Sequence, residues 1–170
     1  AGKPDVRGER MTFSFPFARV SKCSVKAGGK EIYCVPYLGS GNIDRECKLL
    51  FLEDGSEIDF SEAGDLSDTA VLLNKLADEK TYKRLTEHHA AAFLVMKGKY
   101  YASEKEASLY PLRLRDHFSR NGVIPGFMIT SADAAALVRD EVKSVTLTLE
   151  QENYDAESQN VLAVIEGTVH

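Results

Sequence analysis

The chain has 170 residues, of which 44% are hydrophobic and 28% are charged, and its formal net charge is −5. This composition is typical of a folded globular protein with a buried core. The negative charge argues against general binding to nucleic acid or to anionic membranes. No apolar run approaches the roughly 18–20 residues that a transmembrane segment requires.

The start of the chain contains a strand and then a hairpin. Residues 1–10 form a polar N-terminal extension, after which Phe13, Phe15 and Phe17 alternate with polar residues, as in a half-buried strand. Gly28-Gly29 is a favourable pair for a two-residue hairpin turn, because both positions of such a turn require a positive φ. In that register Cys23 faces Cys34, and directly opposed strand residues lie close enough for a disulfide.

The predicted disulfide bears on the location of the protein. Disulfides persist mainly outside the cytoplasm, and a chain that begins with Ala1 is what cleavage of a signal peptide leaves. We therefore expect a periplasmic or secreted protein. The alternative is a cytoplasmic protein whose translation starts at Met11. Cys47 is expected to stay unpaired, and the cysteine spacing predicts no metal site and no cofactor.

The middle of the chain changes to a helical pattern. Residues 48–52 and 57–60 read as short strands joined by the Asp54-Gly55 turn. Apolar residues at helical spacing predict one helix over residues 66–77 and a second one from Thr81 to about residue 89. Residues 91–96 and 100–103 predict two further strands, and Pro111 marks the start of another helix.

The C-terminal part predicts a strand over residues 127–130, a helix over residues 132–142 and a closing hairpin of residues 145–149 with 160–169. We therefore predict an α+β fold in a single domain of residues 1–170. Its mainly antiparallel sheet combines an N-terminal meander with the C-terminal hairpin and packs against about three or four short helices. The predicted core is Phe13, Phe15, Val25, Ile32, Leu50, Phe93, Val95, Leu147 and Val164.

Charge is distributed unevenly along the chain. Residues 49–74 contain no Lys or Arg but seven acidic residues, whereas basic residues predominate later. Such a segment is a solvated surface or a patch that steers a basic partner. A third reading is a calcium site on Asp54, Glu57 and Asp59, although their spacing misses the EF-hand pattern. Tyrosine and arginine are enriched at interface hot spots. The predicted partner-binding residues are Asp54, Glu57, Asp59, Glu62, Asp65, Tyr100, Arg113 and Arg115.

Three kinds of function remain open at this point. The sequence contains no nucleophile-elbow, phosphate-loop or metalloprotease motif, and therefore favours a protein-binding domain, such as an inhibitor, an immunity-type protein or a component of a surface or secretion assembly. Its partner would be another protein, held by charge-steered occlusion. The alternatives are a small hydrolase or transferase that uses His117 with Asp116, and a small-molecule carrier with an apolar cavity.

Overall fold

The computed structural model describes residues 6–97, 109–120 and 122–165, with side-chain environments between residues 10 and 161 of those ranges. Its elements in chain order are β1 (Val6–Ala27), β2 (Lys30–Ile32), β3 (Cys34–Leu38), β4 (Ile43–Phe51), α1 (Glu57–Ala63), β5 (Thr69–Leu73), α2 (Glu79–Glu87), β6 (Ala92–Lys97), β7 (Leu112–Arg113), α3 (Asp116–Ser119), β8 (Gly126–Thr130), α4 (Ser131–Arg139) and β9 (Ser144–Ile165).

The chain divides into two compact units. One unit combines residues 1–18 with residues 153–170, and the other comprises residues 19–152. Within the described residues, the first unit is made of the outer halves of the long strands β1 and β9. The organisation of residues 1–170 as a single domain stays a prediction.

The first unit carries a row of aromatic side chains. Phe13, Phe15 and Phe17 follow one another along β1 with ring centroids 6.1 and 6.3 Å apart, and Phe17 lies 5.5 Å from the Tyr154 ring of β9. Phe13 is 43% exposed and Phe15 is 36% exposed. Their placement in the predicted core is wrong, because alternation identifies one face of a strand but not what covers that face.

The sheet is mixed, so the prediction of a mainly antiparallel α+β fold is wrong. The strand order is β2-β1-β9-β4-β5-β6-β8-β3-β7. Its centre is parallel: β4 pairs with β5, β5 with β6 and β6 with β8 in parallel, and β7 adds in parallel to β3. Antiparallel pairs join β1 to β2, β4 to β9 and β3 to β8.

Helices cover both faces of the parallel strands. Val71 and Leu73 of β5 pack into one core cluster with α1, α2 and α3, while Ala70 and Leu72 pack into a second cluster with α4. A strand that is buried on both faces has a continuous apolar sequence, with no polar residue in alternate positions. This is why residues 69–73 resembled a helix in sequence although they form a strand.

Three further local predictions are wrong. Residues 57–60 belong to the helix α1, in which Ser56 and Asp59 form a capping box, and not to a strand. Residues 144–165 form the single strand β9, where a hairpin was predicted. After Pro111 the chain first forms β7, and only residues 116–119 are helical.

Several local predictions are confirmed. Gly28 and Gly29 have φ values of 54° and 80°, and the hairpin pairs Val25 with Ile32 in the predicted register. The helix α4 and the strands β6 and β8 form where the sequence predicted them. The helix α2, predicted from Thr81, begins two residues earlier at Glu79 with Asp78 as its cap.

The predicted disulfide is absent. Cys23, Cys34 and Cys47 are all free, and the Cys23 and Cys34 sulfurs lie 3.7 Å apart. The hairpin brings the two residues together as predicted, but no bond joins them, so the extracytoplasmic location loses its main support and stays a prediction.

Most of the remaining core prediction is confirmed. Val25, Phe93, Val95 and Leu147 are buried. Ile32 and Leu50 are partly buried against the two clusters, and the Val164 side chain lies outside the described environments. Among the described helices, none has the length and apolar character that crossing a membrane would require.

Candidate functional site

A groove of about 490 Å³ lies on the unit of residues 19–152, where β3, β7, α2 and α3 meet. Its lining residues come from β3, from the segment that leads into α2, and from the stretch that runs from β7 into α3. They are Tyr37, Leu76, Ala77, Asp78, Glu79, Leu112, Arg113, Leu114, Arg115, His117 and Phe118.

Aromatic side chains hold the groove in shape. The Tyr37 ring lies 5.1 Å from the Phe93 ring, and Phe118 stacks on Tyr82 of α2 at 5.4 Å with an interplanar angle of 21°. The Tyr82 hydroxyl donates to the carbonyl of Gly122 (3.0 Å) and accepts from the N–H of Ile124 (3.1 Å). These bonds fix Tyr82, and through it the spacing of α2 and α3.

Burial shapes the chemistry of the groove floor. Tyr37 is almost fully buried, and loss of hydration raises its pKa to about 12. The phenol therefore stays neutral to a higher pH than an exposed tyrosine does.

The groove lining contains side chains of opposite charge. Asp78 and Glu79 lie at the N-terminus of α2, while Arg113 lies in β7 and Arg115 directly precedes α3. The Asp78 carboxylate accepts from the N–H of Thr81 at 2.8 Å, and this bond is the main cause of its lowered pKa. Asp78 is therefore both the cap of α2 and a fixed negative charge at the groove.

The groove lining also contains apolar surface. Leu76, in the segment before α2, is 44% exposed, and Leu112 of β7 is half-buried. A concave surface with apolar walls and a few fixed polar groups is the usual form of a ligand site, and the groove volume falls within the roughly 300–1,000 Å³ of such sites.

A buried polar network holds the backbone next to Tyr37, which lines the groove. The Gln151 side chain accepts from the N–H of Gly39 at 3.0 Å and donates to the carbonyls of Ser40 (2.9 Å) and Tyr37 (3.2 Å). Asn42 exchanges hydrogen bonds with the backbone of Gln151. The network therefore fixes the chain that continues from Tyr37.

The structure separates the predicted partner-binding residues. Arg113 and Arg115 lie in the groove, whereas none of the five predicted acidic residues lines it, and Tyr100 lies outside the described residues. The five are Asp54, Glu57, Asp59, Glu62 and Asp65, all in or beside α1.

Three of the acidic residues make contacts within the protein. Asp59 accepts from the N–H of Ser56 at 3.0 Å in the capping box. Glu57 lies 3.8 Å from Arg84, and Asp65 accepts from the Ser67 hydroxyl at 2.7 Å. In the structure each of the three carboxylates therefore contacts another residue of the protein. A role for these residues in partner binding stays a prediction.

Of the predicted pair His117 and Asp116, only His117 lines the groove. His117 lines the groove, with its ring 4.6 Å from that of Phe118. Within the described part of the chain, no hydrogen bond joins Asp116 to His117, because neighbouring side chains on a helix point in different directions. In the same part, no three His, Cys, Asp or Glu side chains are grouped as a metal site.

Sequence reasoning missed Tyr37, Leu76, Phe118 and Gln151. One signal could have indicated Gln151. It follows Val145, Leu147 and Leu149 in the inward positions of β9, and all four are buried. A polar residue in such a position has to find partners within the protein. The other three were indistinguishable from ordinary core residues.

The sequence matches no protein-family model and no curated protein. The fold, however, is similar to parts of solved peptidase structures. For an aminopeptidase from Aneurinibacillus sp., the TM-score is 0.66 at 16% identity, over 94% of this chain and 38% of that one. For a zinc aminopeptidase from Bacillus subtilis, it is 0.67 at 19% identity, over 97% of this chain and 38% of that one.

A subtilisin-like protease from Pseudoalteromonas sp. is also similar, with a TM-score of 0.52 at 14% identity, over 82% of this chain and 35% of that one. The present chain thus spans less than half the length of the peptidases that it matches. At these identities the similarity is one of fold.

These comparisons overturn the functional reading of the sequence. The structural neighbours are peptidases, so the prediction of a non-enzymatic inhibitor or immunity-type protein is wrong. The hydrolase alternative agrees better with them. The prediction relied on the absence of catalytic motifs from the sequence, and such an absence does not exclude a fold that also occurs in peptidases.

Proposed function

We propose that this chain is part of a peptidase, and that its groove binds the polypeptide on which that peptidase acts. The observation that carries the proposal is that this fold recurs in a zinc aminopeptidase and in a subtilisin-like protease. Zinc hydrolysis and the serine triad of subtilisins require different side chains. A fold common to both kinds of enzyme therefore fits a task that they share, and both act on polypeptides.

The groove has the chemistry that a polypeptide segment requires. Leu76 and Leu112 offer apolar surface to a side chain, while Asp78 and Arg115 supply opposite charges from different segments of the lining. Charges of opposite sign at different places favour one orientation of a bound segment over the reverse one.

The test uses the full chain and a fluorescein-labelled, reduced and carboxymethylated polypeptide, with binding followed by fluorescence anisotropy. We expect saturable binding that weakens about fivefold or more in Leu76→Ser and in Arg115→Glu, which is the effect of truncating an interface hot spot. Val138→Ser and Lys143→Glu are the matched controls, because Val138 is also an exposed apolar residue and Lys143 an exposed cation, and neither lines the groove.

Absence of saturable binding would rule out the groove as a polypeptide site. Equal weakening in the control variants would do the same, because it would indicate general adhesion and not a site. Circular dichroism and thermal unfolding of each variant check that the fold is retained.

A second candidate is hydrolysis by the chain itself, since His117 lies in the groove wall. Imidazole is the commonest general base in enzymes. Incubation of the unmodified chain with leucine p-nitroanilide and with the labelled polypeptide, with and without added zinc, measures this activity. Turnover that disappears in His117→Ala but persists in the exposed control His89→Ala would assign the chemistry to this chain.

A further inference from the structure

Two thiols face each other across the first hairpin, apart from the groove. The register of Val25 with Ile32 places Cys23 of β1 opposite Cys34, the first residue of β3. Their sulfur atoms are 3.7 Å apart and share a hydrogen bond. Cys34 also pairs with Ile129 of β8, so its backbone is fixed from the other side.

The surroundings of this thiol pair are apolar but not closed. Cys23 and Cys34 are half-buried and pack against the core cluster that contains Val25 and Ile129. Either sulfur can be the donor of the hydrogen bond that joins them. A cysteine binds a metal ion as its thiolate, so metal binding requires that both sulfurs lose their protons.

The geometry fits two sulfur ligands on one metal ion. Metal–thiolate bonds of about 2.3 Å at a tetrahedral angle place two sulfurs about 3.8 Å apart, and a linear arrangement places them about 4.6 Å apart. The 3.7 Å separation is close to the tetrahedral value and shorter than the linear one. A change of χ1 rotamer in either cysteine alters this distance without moving the strands.

We propose that Cys23 and Cys34 form a binding site for one thiophilic monovalent cation, copper(I), held as a bidentate dithiolate. Thiolates are soft ligands and select copper(I), which two sulfurs satisfy, whereas zinc takes four ligands. Binding replaces both thiol protons, which pass to solvent, and no oxidation or reduction takes place. The site does not depend on the proposed peptidase role of the groove.

The test is an anaerobic titration of the full chain with copper(I) in ascorbate, in competition with the chromophoric chelator bathocuproine disulfonate. Thiol titration beforehand confirms three free thiols, as the structure has them. We expect one equivalent to bind and a thiolate-to-copper charge-transfer band to appear in the ultraviolet. Binding should weaken about 100-fold or more in Cys23→Ser and in Cys34→Ser, because each variant leaves one soft ligand.

Cys47→Ser is the matched control. Cys47 is 2% exposed in β4, and within the described residues no hydrogen bond joins its sulfur to either member of the pair. This variant should bind copper(I) as the unmodified chain does. Thermal unfolding of the three metal-free variants separates loss of the site from loss of the fold.

Three results would overturn the proposal. One is full retention of copper(I) by either single variant of the pair, which would mean a one-thiol site. Another is loss of binding in Cys47→Ser. The last is tighter binding of zinc(II) than of copper(I), since it would imply further ligands that the proposed pair does not include.

Discussion

The Gln151 side-chain amide donates to both the carbonyl (2.9 Å) and the hydroxyl (3.1 Å) of Ser40, a residue 111 positions away in sequence. The same hydroxyl accepts from the N–H of Gly126 at 3.2 Å. Gln151 and Ser40 are 7% and 2% exposed, so water does not replace these bonds if one partner is lost.

We predict that Gln151→Leu lowers the free energy of unfolding by about 2–4 kcal/mol. The substitution leaves the N–H of Gly39 and the carbonyl of Ser40 without their partner. A buried unpaired group costs about 1–3 kcal/mol, and the half-buried N–H of Gly39 lies at the lower end of that range. Urea unfolding measures the change. Glu152→Ala, at the exposed neighbouring position, should stay within about 0.5 kcal/mol, and an equal loss in both variants would contradict the network's role.

We predict that Gly126→Ala destabilises the fold by about 1–3 kcal/mol, because the added methyl group would meet the ring of Phe93. Phe93 is fully buried and cannot move aside. In the double variant with Phe93→Leu, the smaller side chain makes room for the methyl group. The costs of the two substitutions should therefore not add, with a coupling of about 0.5–3 kcal/mol in a double-mutant cycle. Strict additivity would mean that the backbone shifts and the two residues do not compete for space.

We predict that Tyr37 makes the fold less stable at high pH. Its pKa is about 12 in the folded chain because it is buried, against an ordinary value of about 10. A raised pKa gives a stability contribution that is complete below about pH 10 and is lost as the pH rises through about 12. Urea unfolding between pH 9 and about 12 should therefore show a shallower decline for Tyr37→Phe than for the unmodified chain. Tyr33→Phe is the matched control, since Tyr33 is 52% exposed, and it should leave the decline unchanged.

We predict that Ser56→Ala and Asp59→Ala each lower the free energy of unfolding by about 0.5–2 kcal/mol, the usual effect of losing a helix cap. Ser56 and Asp59 satisfy each other's backbone N–H at the start of α1. Asp54→Ala, outside the capping box, should change stability by less than about 0.5 kcal/mol. If Asp59→Ala were as stable as the unmodified chain, Asp59 would be an ordinary surface carboxylate.

Local sequence determined the elements whose stabilising contacts are near in the chain. The Gly28-Gly29 hairpin depends on two positive φ values, and the helix α2 depends on its Asp78 cap and its apolar face. The strands β6 and β8 follow from short apolar runs bounded by turns. Each of these signals acts over a few residues, so it can be recognised in the sequence.

The sequence alone also predicted that Cys23 and Cys34 lie opposite each other, because the register of a two-residue hairpin is fixed by its turn. It could not decide whether the two thiols are bonded. It placed Arg113, Arg115 and His117 near one another in the chain, but it did not indicate Tyr37 and Leu76, which join them in the groove from residues about 40 to 80 positions away.

Tertiary structure decided the rest. Residues 69–73 form a strand and not a helix because parallel neighbours bind both of its edges and helices cover both of its faces, an environment that exists only after the chain has folded. Phe13 and Phe15 are exposed for the converse reason: their alternation marked an apolar face, but whether such a face is covered depends on distant parts of the fold. The groove likewise exists only where β3, β7, α2 and α3 meet, since no one of these elements supplies both its acidic and its basic lining residues.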